Sequence, residues 1–231
     1  MRTKLLSLAV SLIVATPSLA AAQQPAPLPQ PATAGGLYFS GELTLGGARS
    51  VEAPGIYDAS IDYTTGLSGG IGYRLGPVRL EGQLRFDYFD VSSMNPVPDS
   101  PLPSPETAVN FTGWGLMGNV FYDIGTVGSI RPYLGAGIGF VDISAQEEDF
   151  KFCFVVCWER TPLITGSDTV MAWQAMAGLT IPAGWRGGEW QAGYRYYRTD
   201  DLEFHLEGYG PFTQDGLESH SVTFGVRQFL N

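Results

Sequence analysis

The chain has 231 residues, of which 44% are hydrophobic, 13% aromatic and only 16% charged, with 30 Gly and a formal charge of −10. That is too apolar and aromatic for a disordered chain and too sparsely charged for an ordinary soluble enzyme. An acidic chain with no basic cluster is a poor nucleic-acid ligand, and no apolar run in the body reaches the ~18 residues of a membrane-crossing helix.

The first element is a targeting signal. Arg2 and Lys4 precede the apolar run Leu5–Ala15, Pro17 breaks it, and Ala20-Ala21-Ala22 supplies a small-x-small cleavage pattern. Residues 1–22 are therefore predicted to be a secretory signal peptide. Its removal takes away two of the 13 cationic residues and leaves a charge of −12. Residues 23–35 are rich in proline and hold nothing that could build a core, so they read as a periplasmic tether.

From residue 36 to 231 the pattern has a period of two. In Val78–Val91, Leu80, Leu84, Phe86 and Tyr88 alternate with Arg79, Glu81, Gln83, Arg85 and Asp87. Successive strand side chains point to opposite faces, so this is a two-faced strand. The same alternation predicts strands over Leu37–Leu45, Leu67–Leu75, Thr112–Ile124, Pro132–Ile143, Val170–Ile181, Trp190–Tyr197 and His220–Leu230. Short connections alternate strictly with long ones at 46–66, 92–111, 144–169 and 198–219. That asymmetry, with strands of bilayer-crossing length, predicts an all-β, eight-stranded antiparallel transmembrane up-and-down barrel, with short periplasmic turns, long extracellular loops and periplasmic termini.

One face of these strands carries Glu42, Arg74, Arg79, Glu81, Arg85, Asp87, Glu189, Arg195 and Arg227. An Arg facing lipid near the midplane costs roughly 2–4 kcal/mol. The consistent solution turns the charges inward, where the two signs pair, and the apolar face outward. Phe39, Tyr73, Tyr122 and Trp190 then fall near one rim, and Phe86, Tyr88, Trp114, Phe140, Trp173 and Tyr196 near the other, as two membrane interfaces favour.

The segments RPYLGAGIGF (Arg131–Phe140), MAWQAMAGLTIP (Met171–Pro182) and SVTFGVRQFL (Ser221–Leu230), in this order and spacing, resemble the eight-stranded OmpA-like outer-membrane β-barrels of Gram-negative bacteria, in particular the surface-antigen and opacity-type branch. The resemblance spans residues 36–231. It implies a place in the outer membrane, contact with its lipid and lipopolysaccharide, and delivery by the barrel-assembly machinery. It also implies roles in envelope integrity, antigenicity or adhesion. Family barrels usually end in an aromatic residue; here Leu230 stands at that place and Phe229 one position early.

The four long connections hold sixteen acidic residues against Arg49, Lys151 and Arg160, with Arg198 at the strand boundary. Glu147-Glu148-Asp149 and Asp200-Asp201 lack metal-loop spacing, so neither a metal nor a cofactor is expected. Cys153 and Cys157 are the only cysteines, and an even count in a secreted chain predicts a disulfide. Around them Phe152, Phe154, Val155, Val156 and Trp158 form a candidate contact patch for a host or neighbouring surface. His220 and Ser221 are adjacent on a strand and point oppositely, so they cannot act as base and nucleophile. The expected function is a non-catalytic envelope protein displaying four acidic loops. A porin-type channel is the alternative, although eight strands leave an interior just wide enough for side chains, which argues against an open pore; a lipid-modifying enzyme ranks third.

Overall fold

The computed structural model describes residues 36–98, 109–147, 152–153, 157–158, 164–206 and 210–230. The predicted signal peptide and tether lie outside the described residues. Eight long strands dominate: β1 (Gly36–Ala48), β2 (Tyr57–Leu75), β3 (Val78–Pro96), β4 (Val109–Asp123), β5 (Arg131–Glu147), β6 (Ser167–Pro182), β7 (Gly188–Thr199) and β8 (Glu218–Phe229). Each pairs antiparallel with the next, and β1 pairs with both β2 and β8, which closes the ring. The register fixes the geometry. The paired residues run Leu37–Tyr73–Leu80–Val120–Ala136–Ala175–Tyr196–His220–Gly47. One circuit therefore returns to β1 ten residues further along, from Leu37 to Gly47. A stagger of this kind tilts the strands and closes a narrow cylinder.

The wall is inside-out relative to a soluble domain. Leu67, Leu116 and Phe140 are 63%, 66% and 63% exposed, whereas Arg79 and Arg227 are 0% and 1% exposed. Outward apolar side chains on all eight strands make a continuous belt, which only lipid satisfies. The described ends of the barrel, Gly36 and Leu230, and the short turns lie at one end, and the described parts of the long connections at the other. The β2–β3 turn is tight enough to need Gly76 at φ 61, a conformation that glycine adopts without a steric penalty.

Close packing explains the glycines of Arg131–Phe140. Gly135, Gly137 and Gly139 face inward on β5, opposite Phe121, Asn119 and Met117 on β4. A Cβ at Gly137 would fall on Asn119 Oδ1, and one at Gly139 would lie 2.7 Å from Met117 Sδ. The glycines give the neighbouring strand's side chains their room inside the barrel.

Two features differ from the sequence reading. First, the strands run on into the segments read as loops. β2 begins at Tyr57 rather than Leu67, and β3 continues to Pro96. Short strands Val51–Ala53, Ile164–Thr165, Leu202–Leu206 and Gly210–Gln214 fold over the long-connection end. Second, the faces exchange character there. On β3 the inward series Arg79, Glu81, Gln83, Arg85, Asp87 continues as Phe89 and Val91, while the outward series ending at Phe86 and Tyr88 continues as Asp90. A register shift at Ser60–Tyr63 in β2 sits at this boundary, a place where an extra residue re-aims the chain. Charges inward and apolar residues outward describes only the membrane portion. Past the lipid the outside meets water, so the usual polarity returns.

Candidate functional site

The lumen is filled in layers. Strand ends build the layer nearest the turns: Arg74 from β2, Arg79 from β3, Asp123 from β4, Arg131 from β5, Glu189 from β7 and Arg227 from β8. Glu189 accepts from three guanidiniums, at 2.8 Å from Arg131 Nη1, 2.9 Å from Arg227 Nη1 and 3.4 Å from Arg74. Asp123 accepts from Arg79 Nε at 3.1 Å and Arg74 Nη2 at 3.3 Å. The guanidinium of Arg74 lies 4.4 Å from the Phe229 ring centroid. Phe229 thus turns inward beneath the charges, 5.3 Å from the Tyr38 ring, and Leu230 is left facing out.

The middle layer is neutral. Gln174 Nε2 donates to Asn119 Oδ1 at 2.6 Å, and Gln83 Nε2 to Ser68 Oγ at 3.0 Å. Above it, Arg85 grips Asp87 through two donors, Nε at 2.6 Å and Nη2 at 2.7 Å, and reaches Gln174 Oε1 at 2.9 Å. Arg195 pairs with Glu42 and donates to Thr44 Oγ1 at 3.2 Å. The planar two-donor grip of Arg85 on Asp87 and the single-donor Arg195–Glu42 pair are both charge-assisted, the first among the strongest bonds of this kind. They offset much of the cost of burying both ions.

An apolar layer closes the long-connection end. Tyr57, Ile61, Phe89, Val91, Phe111, Ile143, Leu202, Phe204 and Leu217 are all buried in one cluster. The Tyr197 ring joins it to the charges below, with the Arg85 guanidinium 4.0 Å from its centroid. Tyr57 Oη donates to the fully buried Gln214 Oε1. Burial pushes the Tyr57 phenol above its ordinary range, so it stays a protonated donor.

Family membership is shown by the sequence. The family model for the outer membrane protein beta-barrel domain matches residues 6–227. The chain belongs to this family. The solved structure of Neisserial surface protein A is 16% identical, covers 84% of this chain and 97% of that one, and superposes with a TM-score of 0.50. The outer membrane protein OprG from Pseudomonas aeruginosa is 11% identical, with coverages of 83% and 95% and a TM-score of 0.51. At these identities the likeness is one of fold. An uncharacterized protein of Brucella abortus (strain 2308) is 26% identical over 238 residues, spanning 89% of this chain and 77% of that protein.

In this outer-membrane barrel eight of the nine charges read from the sequence enter ion pairs within the lumen. Glu81 is the exception among the described residues: it is buried, and its side chain packs against Gly70, where an added Cβ would meet Glu81 Cδ at 3.0 Å. The sequence reading missed Asp123 and Arg131 as members. Asp123 has the right parity on β4, and Arg131 stands one residue before the strand start that was read. Gln83, Asn119, Gln174 and Gln191 share the inward parity of the charged set, which was the available signal. Cys153 and Cys157 face each other in register, in the pair Phe152–Cys153 and Cys157–Trp158. The side chains of those four residues, and all of Phe154, Val155 and Val156, lie outside the described residues.

Proposed function

We propose that this barrel is a sealed, non-catalytic envelope protein. Its wall anchors and orients the long connections at the cell surface, where they serve envelope integrity or surface contact of the antigen or adhesin kind. The observation that carries this reading is the filling of the lumen along its height, charged and neutral polar layers below and an apolar layer above. In the cell the turn end and both termini face the periplasm, residues 1–22 are cleaved, and 23–35 form the tether. The acidic balance of the long connections suits a surface shared with anionic lipid and divalent ions. The Cys153–Cys157 register supports a disulfide between them, with Phe152, Phe154, Val155, Val156 and Trp158 held around it as the contact patch. Lipopolysaccharide and the barrel-assembly machinery are its envelope partners.

Planar-bilayer recording of the purified barrel tests the reading. The expected result is no steady conductance, because side chains of the described residues fill each layer of the bore. A stable, reproducible pore would replace it with the channel reading.

A further inference from the structure

Just past the outward aromatic belt, the rim is acidic on β2, β3 and β5 among the described residues. Asp62 on β2, Asp90 on β3 and Asp142 on β5 stand there. Among the described residues the rim cations occur in a single sector. Arg198 stands next to the end of β7, opposite Trp173 on β6 and Glu218 on β8. Arg49 follows β1, with a side chain that is 75% exposed and Nη1 3.7 Å from Glu218 Oε2. Between them on β8, His220 Nδ1 shares a 2.5 Å hydrogen bond with Tyr194 Oη, and the ring lies 5.1 Å from Tyr196, edge on. Glu218 and, one rung higher, Asp200 offset the two arginines, so this sector is close to neutral. A phosphate is repelled elsewhere on the rim and meets donors here.

An independent feature spans β7, β8 and β1 and reaches their neighbours β6 and β2. Below the belt a groove of about 790 Å³ indents the outer wall, lined by Leu43, Leu67, Leu179, Ala192, Phe224 and Val226. Gly41 and Ala192 make it, because larger neighbours flank them on an otherwise bulky surface. Phe224 and Val226 stand four and six residues below His220 on β8. At about 3.3 Å per residue and a tilt of about 40°, that is about 10–15 Å. A lipid whose phosphate sits at the rim drops an acyl chain to that depth.

We propose that β7, β8 and β1 form a specific site for a phosphorylated, multiply acylated glycolipid of the lipid A class. Arg49 and Arg198 bind its phosphate, the Tyr194, Tyr196 and His220 rings lie against its sugar, and one chain fills the groove. The proposal deepens the envelope reading, and its orientation, by naming a lipid and a place on the wall.

Native mass spectrometry of the barrel in detergent, incubated with bis-phosphorylated lipid A, tests it. Intact protein is expected to retain one lipid A. The double variant Arg49→Gln/Arg198→Gln and the groove-filling Ala192→Trp are each expected to retain at least tenfold less. Asp90→Asn, on the far wall, should behave as the intact protein. Only protein showing the folded, heat-modifiable gel band is compared. A further arm needs no variant: fully dephosphorylated lipid A should bind the intact barrel at least tenfold more weakly. Absence of retention by intact protein overturns the proposal, as does equal binding of the dephosphorylated lipid or of phosphatidylglycerol, or undiminished retention by the double variant. Binding in detergent does not depend on which end faces out. Surface labelling of whole cells tests the orientation separately, so the two readings fail independently.

Discussion

Arg85 shows how a single residue acts in this barrel. It is buried, holds Asp87 through two donors, reaches Gln174 on the far side of the lumen, and lies against Tyr197. Replacing it with Leu leaves Asp87 as a buried carboxylate without its partner, a change that costs about 3–5 kcal/mol. Arg85→Leu is expected to lower markedly the temperature at which the folded band disappears on an unboiled gel. An unchanged temperature would mean that the pair contributes little. Arg85→Lys keeps the charge but loses the planar two-donor grip, so its loss should be smaller. At this scale much was legible. The alternation placed Arg85 and Asp87 on one face, but parity on one strand could not reveal Gln174 or Tyr197, which come from β6 and β7 through the register of the closed ring.

At the scale of elements, the strands extend beyond the membrane and form a roof. Its joint is the Tyr57–Gln214 hydrogen bond between the start of β2 and the short strand Gly210–Gln214. Tyr57→Phe keeps the ring in its apolar cluster and leaves Gln214 Oε1 buried without this donor, a cost of about 1–3 kcal/mol. The expectation is faster proteolysis within 202–214, with the gel-shift temperature of the barrel unchanged. A joint fall in both would make roof and wall one cooperative unit. The short pair at Cys153 and Cys157 gives a second expectation, that alkylation without reductant labels neither thiol and labels both after reduction. Labelling before reduction would remove the disulfide. These outer elements were the least legible part. At the start of β2, where Tyr57, Ala59 and Ile61 are buried inward in place of polar residues, the polarity of each face reverses, and a reading that assumes one polarity per face sees the pattern stop and writes a loop.

For the molecule as a whole, the proposed sealed barrel has a consequence: two stacked layers make the seal redundant. Substituting Ala for both Phe89 and Phe111 thins the apolar layer but leaves the Arg85–Asp87, Gln174–Asn119 and Glu189 layers across the bore. Such a variant is expected to stay silent in planar bilayers, as is the intact barrel. A conductance appearing in it would assign the seal to the apolar layer alone. The inward glycines of β5 serve the same closure, since they let side chains from β4 fill the bore that eight strands leave.

The chain's local chemistry alone determined that there are eight two-faced strands, that apolar side chains face lipid and charged ones face inward, and that long and short connections alternate. The reason is that a period of two and the cost of charge in hydrocarbon are both properties of neighbouring residues. The closed register decided the rest: which arginine meets which carboxylate, that Phe229 turns in while Leu230 faces out, and that Arg49, Arg198 and His220 gather on one rim. Those partners are joined across strands far apart in sequence, and a stagger of ten residues around the ring sets their heights in a way that no single strand records.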